Sequence, residues 1–535
     1  MPQQITANRA ALATGHPLGA AAGLELLQAG GNAIDAAVAA TLALCVVIPG
    51  SVGLAGYGGS AVICRGGKRG SGTDDAPRVF AIDFDSCAPL AFRAGLVTAD
   101  PASNYYGARA VTVPAVVAGL DAILREFGSK TWEEVSQPAI RLAEDGFVFD
   151  SEHERHWKRC AAKFDEQSVA SLFPDGMPPL GGRWRQPDLA RVLRQLCEEG
   201  PAAFYEGNLA SQIVKYVRSR GGILEERDFR EYRAQEVRAV SARCRNYELF
   251  TPPPPAGGIT SIGIVQTLVK LIDCDDPPDL QRGDVRCRGW NAHALHAFAE
   301  ASKLCWAERQ KWLGDPNFVK ASLEELVSDA GVTSRAAAIR SGRTGQSNEI
   351  PDTSSHTSNV VAADADGNMI SLTATQGWMY GSHLVVEGLG LVLNHGMSRF
   401  DYLPGHPNSP AAGKRMQHNM APMIALRGGR PAFAYGLPGG PKIVSVTAQL
   451  AIDTILFGAH PQTAVERPRL HTQGGEPLLV SAHMPDDVVS ELEQMGHTVR
   501  READMGGPVG VLAVESESGR INAAAGELMG AAAGI

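Results

Sequence analysis

Two threonines, and the peptide bond in front of the first, carry the strongest chemical signal in the sequence. Residues Ser341 to His356, SGRTGQSNEIPDTSSH, are polar and lack apolar periodicity, which predicts an exposed loop. The residues that follow, TSNVVAADADGNMISLTAT, read as two strand-like runs around Asp366-Gly367, a short-range hairpin signal. Folding the chain back at that dipeptide sets Thr357 across the ladder from Thr375 or Gln376. A threonine hydroxyl is a weak nucleophile unless a base stands beside it. The closest base open to Thr357 is its own α-amine, set free if the His356-Thr357 peptide is cut. Such an amine has a pKa of about 8 and can accept a proton at cellular pH. On geometry alone, an ordinary threonine at a strand end is the competing reading.

Other constellations carry less. His153, His156 and Cys160 fall at i, i+3 and i+7, one face of a helix. HERHW is not the HExxH pattern and charged residues fill the spaces, so a solvated helix face is expected there and no metal site. The run GLAGYGGS (53–60) precedes a strand and lacks the lysine of a phosphate loop, which points to tight backbone packing. No GxSxG elbow and no papain-like cysteine signature occurs. No cofactor is expected.

Positioning these residues falls to 535 residues, 44% hydrophobic and 20% charged, enough for about three ordinary domains or one large interleaved core. The 59 Gly and 33 Pro follow no period, which excludes collagen-like and wholly disordered classes. A net charge of -9 gives no general attraction to phosphate backbones or anionic lipids, so neither nucleic acid nor a membrane is an expected partner. The start, MPQQITANRAALATGHP, has no signal-peptide pattern, and a cytoplasmic location is expected. Nine cysteines without a CxxC pair suit reduced thiols.

The opening predicts two packed helices, His16 to Ala29 with a stop at Gly30-Gly31, then a helix capped by Asn32 and running to Val47. The second is apolar all round and too short to span a bilayer, so it belongs in a core. Helices are expected from Pro114 to Gly221, from Ser261 to Ile272 after the rigid run TPPPPAGGIT with its flexible Gly pair, and from Lys442 to Phe457. Strands with helical layers on both sides suggest an α/β layered fold.

The segment TSNVVAADADGNMISLTAT, with GLGLVLNHGMSRF, GKRMQHNMAP and AYGLPGGPKI after it, resembles the small subunit of the γ-glutamyltransferase family of N-terminal nucleophile hydrolases. The likeness extends over nearly the whole chain through HPLGAAAGLELLQAGGNAIDAAVAA, TVPAVVAGL, QPAIRLAEDGF, TPPPPAGGI and RPRLH. It implies a four-layer αββα sandwich and a precursor that cleaves itself at His356-Thr357 into chains of 356 and 179 residues (535 − 356). Thr357 then matches the nucleophile, Thr375 the threonine that hydrogen-bonds it, and Gly439-Gly440 the pair whose N–H groups form the oxyanion hole. All nine cysteines precede Thr357, so the two chains are expected to associate without a disulfide.

Departures from the family pattern concern the substrate, a small-molecule amide. Where typical members carry an acid that takes the α-ammonium of a γ-glutamyl group, NHGMSRF places Arg399, and a cation repels an ammonium. The paired serines that hold the glutamyl carboxylate are replaced by His418-Asn419, and a Gln-type position by Gly396. Arg93, in APLAFR, falls one position from the family's carboxylate-binding arginine, and DYLPGHPNSPAAG (401–413) is shorter than a lid-bearing loop. Together these imply hydrolysis of an amide whose acyl group bears a carboxylate without a neighbouring ammonium, or one with a second anionic group on the leaving side. Glutathione hydrolysis or γ-glutamyl transfer is the alternative, and a non-catalytic binding homologue the alternative of another class. Arg399 has a bland reading too, turned outward and paired with Asp401.

Overall fold

The computed structural model describes residues 3–66, 78–94, 106–273, 290–320, 326–342, 356–507, 509–526 and 530–535. Most of the stretch expected to be an exposed loop, 341–356, lies outside the described residues. Two seven-stranded sheets form the centre, and every pairing within them is antiparallel. The first, the hairpin sheet, runs Ala531–Gly534, Ala10–Thr14, His356–Asp364, Met369–Gly377, Gly58–Arg65, Arg78–Asp85, Gln235–Val237. The facing sheet runs Gln4–Ala7, Ile521–Ala525, Gly510–Val514, Arg430–Gly436, Met423–Arg427, Tyr247–Thr251, Val240–Cys244. Both sides of the 356/357 bond therefore contribute strands to each sheet.

Period-two side-chain alternation explains the packing. Val361 and Ala363 turn inward with Ala11, Ala13 and Val62 against Ile424, Ala434, Leu512 and Ala523 of the facing sheet. Their neighbours Val360 and Ala362 turn the other way, into a core shared with the helices Pro17–Gln28 and Ala33–Val47. Strands buried on both faces read as unbroken apolar runs, as VVAA (360–363) does. Helix Ala33–Val47 is buried at every position. Its one acid is the capping-box partner of Asn32 and also accepts from Ser129 N, Ser129 Oγ and Lys130 N. Outside the facing sheet, helices Gly258–Ile272, Ala292–Trp312 and Lys442–Ile455 share a further core with it.

Two glycine readings change. The Gly pair after TPPPP is not a flexible joint: Gly257 caps the helix and Gly258 begins it, and a Cβ at 258 would stand 1.7 Å from Thr251 Oγ1. The strand expected from Ala61 starts at Gly58, and a Cβ at Gly59 would meet the Thr373 carbonyl at 2.2 Å. Close backbone approach dictates both. Among the described residues no helix is long and apolar enough to cross a membrane, and the seven cysteines are all free.

Candidate active site

The hairpin that bears the two threonines is fixed at its closed end by one carboxylate. Asp364 Oδ1 accepts from Asp366 N and Asn368 N, both at 3.0 Å, while Oδ2 accepts from Ala33 N at 3.0 Å. Gly367 takes the positive φ, 86°, that the turn needs. This anchors the turn to the start of the buried helix and locks the register, with Val361 opposite Ser371. The ladder is irregular only between His356 and Ser358, where Thr357 on one strand stands against two residues, Thr375 and Gln376, on the other. Its Oγ1 stands 3.1 Å from Thr375 Oγ1, and both residues are buried. Gly377 N donates to Thr375 Oγ1 at 2.9 Å, leaving the Thr375 proton able to point at Thr357. A Cβ at Gly377, which has φ 97°, would meet His395 Nε2 at 2.4 Å. That nitrogen accepts from Trp378 N, so the other, Nδ1, is the donor to Ser398 Oγ at 2.7 Å.

The facing sheet reaches the same end. Asn359 lies against Gly436, the last residue of Arg430–Gly436, and LPGGP then leads into helix Lys442–Ile455. Gly439 and Gly440 hold φ of 131° and 59° there, and a Cβ at 439 would meet Gly506 Cα at 2.7 Å. A glycine pair at a helix start presents amide groups suited to negative charge.

Across the hairpin sheet, Thr375 pairs with Gly58 and Gly58 with Asp85. At about 4.8 Å per strand, Asp85 stands roughly 10 Å from Thr375. Asp85 is fully buried, and His418 Nε2 lies 3.5 Å from its Oδ2. Beyond the contact between the Tyr57 hydroxyl and the Asp85 carboxyl, neither carboxyl oxygen, nor the Tyr57 hydroxyl, His418 Nδ1, or Arg309 Nε and Nη1, has a hydrogen-bond partner. Burial first, then the charge of Asp83, raises the Asp85 carboxyl well above the usual range, and burial beside Asp85 raises the Tyr57 phenol. Burial, reinforced by Arg309, Arg399 and Arg415, keeps His418 neutral. Burial also brings Arg309 down to about 9.

The substrate residues expected from sequence are placed unequally. Arg399 ends the 3₁₀ turn Gly396–Arg399, and its charge acts on both Tyr57 and His418. Asn394 holds that turn, accepting from Thr112 N at 3.0 Å and Gly396 N at 3.1 Å, while Asn408 Nδ2 donates to the Arg399 carbonyl at 2.7 Å. His418 faces Asp85. Asn419 is committed elsewhere, since its Oδ1 accepts from Arg309 Nη2 at 3.0 Å. Arg93 is exposed and folds onto its own turn, donating to the carbonyls of Leu90 and Phe92 at 3.1 and 2.7 Å. The helix Ser151–Cys160 is also less solvated than expected. His153 and Cys160 are buried, and His153 Nε2 bonds the Val47 carbonyl at 2.8 Å. Tyr57, Asp85 and Arg309 escaped sequence reasoning. The available signal was the alternation of two acids around Phe84 in an apolar strand.

The family model described as gamma-glutamyltranspeptidase matches residues 19–533. The acylase ACY 1 proenzyme of Pseudomonas sp. (strain V22) is 35% identical over 95% of this chain and 90% of its own length. The glutathione hydrolase proenzyme of Escherichia coli (strain K12) is 31% identical over 90% of this chain and 84% of its own. Among solved structures, cephalosporin acylase from Bacillus halodurans superposes with a TM-score of 0.87 at 26% identity, covering 100% of this chain and 97% of that one. The chain belongs to the gamma-glutamyltranspeptidase family and is an amidohydrolase of that family, related to both its acylases and its glutathione hydrolases.

Proposed function

We propose that the chain is a precursor cut at His356–Thr357, and that Thr357 Oγ1 then attacks an amide carbonyl. The 3.1 Å contact between the Thr357 and Thr375 hydroxyls at the head of the hairpin carries this reading. The new α-amine takes the hydroxyl proton and returns it to the leaving amine, Thr375 orients the nucleophile, and the N–H groups of Gly439 and Gly440 receive the oxyanion. Water then resolves the acyl-enzyme. In this reading the two sheets, with a helical core outside each, are the four layers of an αββα sandwich, and the two chains stay together through strand pairing and packing alone.

The substrate we propose is a small amide whose acyl group ends in a carboxylate. A carboxyl held protonated by burial is a hydrogen-bond donor. Asp85 in that state, the Tyr57 hydroxyl and the Arg399 cation would then offer an anion donors and positive charge together. A γ-glutamyl group would add an ammonium that Arg399 repels. The acylase relatives support the same direction, and free thiols throughout the described residues support a cytoplasmic site of action.

Denaturing electrophoresis of the purified protein tests the first part: two bands of about two thirds and one third of the 56.6 kDa chain are expected. A single full-length band that persists on incubation rejects it. Glutaryl- and γ-glutamyl-p-nitroanilide, assayed side by side, test the second. Preference for the γ-glutamyl compound would overturn the substrate assignment in favour of glutathione-type hydrolysis.

A further inference from the structure

Away from the nucleophile, a second polar cluster joins the helix Ala292–Trp312 to the C-terminal part of the chain. His296 and Glu300 are one turn apart on that helix, and His497 stands between the helix Asp486–Gln494 and the strand Val499–Glu502. His296 Nδ1 lies 2.8 Å from His497 Nε2, and one ligand atom from each of His296, Glu300 and His497 falls within 4.8 Å of the others.

Two observations make this more than a hydrogen-bonded histidine pair. Glu300 is 1% exposed, yet its Oε2 has no hydrogen-bond partner, while Oε1 accepts from Lys303 Nζ at 2.7 Å. A buried carboxylate oxygen left without a partner is costly. His497 Nδ1 lies 2.8 Å from Glu476 Oε1, the carboxylate–imidazole arrangement that fixes a ligating histidine. With Nδ1–H donating there, Nε2 is a bare lone pair facing His296.

We propose that His296 Nδ1, Glu300 Oε2 and His497 Nε2 bind one divalent first-row metal ion. Two imidazoles and a carboxylate with room for water suit zinc best. Without metal, His296 Nδ1–H donates to His497 Nε2. On binding, that proton moves to His296 Nε2, so the tautomer changes and no proton is released. Lys303, which also donates to Glu476 Oε1 at 2.7 Å, pins both carboxylates and moderates the affinity through its charge.

A consequence rests on the cleavage proposed above. His296 and Glu300 would belong to the first chain and His497 and Glu476 to the second, so the ion would link two chains that no disulfide can join. Metal binding itself does not depend on cleavage.

The test is titration of Zn2+ and Co2+ into chelator-treated, full-length protein, made both as the wild type and as uncleavable Thr357→Ala. One equivalent is expected in each, with the absorption bands of four-coordinate cobalt. His296→Ala and His497→Ala should lose it, and Glu476→Gln should weaken it by about tenfold or more. Circular dichroism identifies any variant that fails to fold, and His497→Gln then replaces it. Absence of stoichiometric uptake by both parent proteins, or uptake unchanged in both histidine variants, overturns the site. Uptake by Thr357→Ala alone would keep the site and remove the link between chains. If the wild type proves uncleaved, binding is still read directly. A zinc-dependent rise in the unfolding midpoint that His497→Ala abolishes is the further expected result.

Discussion

The head of the hairpin and the cluster beside it lie at one end of the hairpin sheet but are built on opposite principles. At Thr357 and Thr375 the polarity is matched: hydroxyl meets hydroxyl at 3.1 Å, Gly377 N–H fills a lone pair, and the turn behind them is tied to a helix N-terminus. At Tyr57, Asp85, His418 and Arg309, six polar atoms are buried with no partner beyond the Tyr57–Asp85 contact. A nucleophile has to be held in place before substrate arrives. Donors that are desolvated and unpaired gain most from a ligand that satisfies them, and reject one that does not. The difference fits the proposed function, with catalysis at the first region and choice of acyl group at the second.

The comparison breaks most completely at Thr357. Thr357→Ala removes the hydroxyl that both cleavage and turnover need, so the chain should stay whole and activity should fall by on the order of a thousandfold or more, to background in a progress-curve assay. Retained turnover would place the nucleophile elsewhere. Next in size is Arg399→Asp. Loss of a charge-assisted contact is worth about 1.5–3 kcal/mol, so kcat/KM for a glutaryl anilide should drop roughly 10- to 100-fold while the γ-glutamyl anilide gains. Equal losses on both substrates would mean that Arg399 supports the loop and does not choose the acyl group.

The two regions also differ in how far the sequence disclosed them. The hairpin was legible because its signals are local: an Asp-Gly turn, a period-two pattern, and numbering that put Thr357 opposite Thr375 to within one residue. Helix Ala33–Val47 was legible for the same reason, through Asn32 and the apolar run. The cluster was not. Tyr57, Asp85, Arg309, Arg399 and His418 come from five separate stretches, of which only Arg399 and His418 were reached, through the family resemblance, while Arg93, one position off the family's spacing, is bound to its own turn. His296, Glu300 and His497 show the same limit, since no spacing rule joins residues that distant in sequence. Gly258 looked like a flexible point because glycine's freedom is visible in sequence, whereas the Thr251 side chain that crowds it is not.

Smaller effects sharpen the contrast. Thr375→Val keeps shape but removes the hydroxyl that orients the nucleophile, and kcat should fall by about tenfold, the scale of one hydrogen bond, with KM little changed. Asp85→Asn addresses the other region through stability. An unfolded aspartate titrates near about 3.9, whereas burial and Asp83 raise the folded value well above that. Between the two values the folded state holds more protons than the unfolded one, so Asp85's contribution to stability is full below the unfolded pKa and declines as pH rises toward the folded one. Asparagine cannot ionise. The variant should match the wild type near pH 4 and exceed it by about 1–2 kcal/mol toward neutral pH, seen as a difference between their unfolding midpoints that widens with pH. If the difference stays flat, Asp85 is ionised and paired in the free protein. The cluster would then be a finished ion network like the hairpin's hydroxyl pair, and no longer a set of donors awaiting an anion.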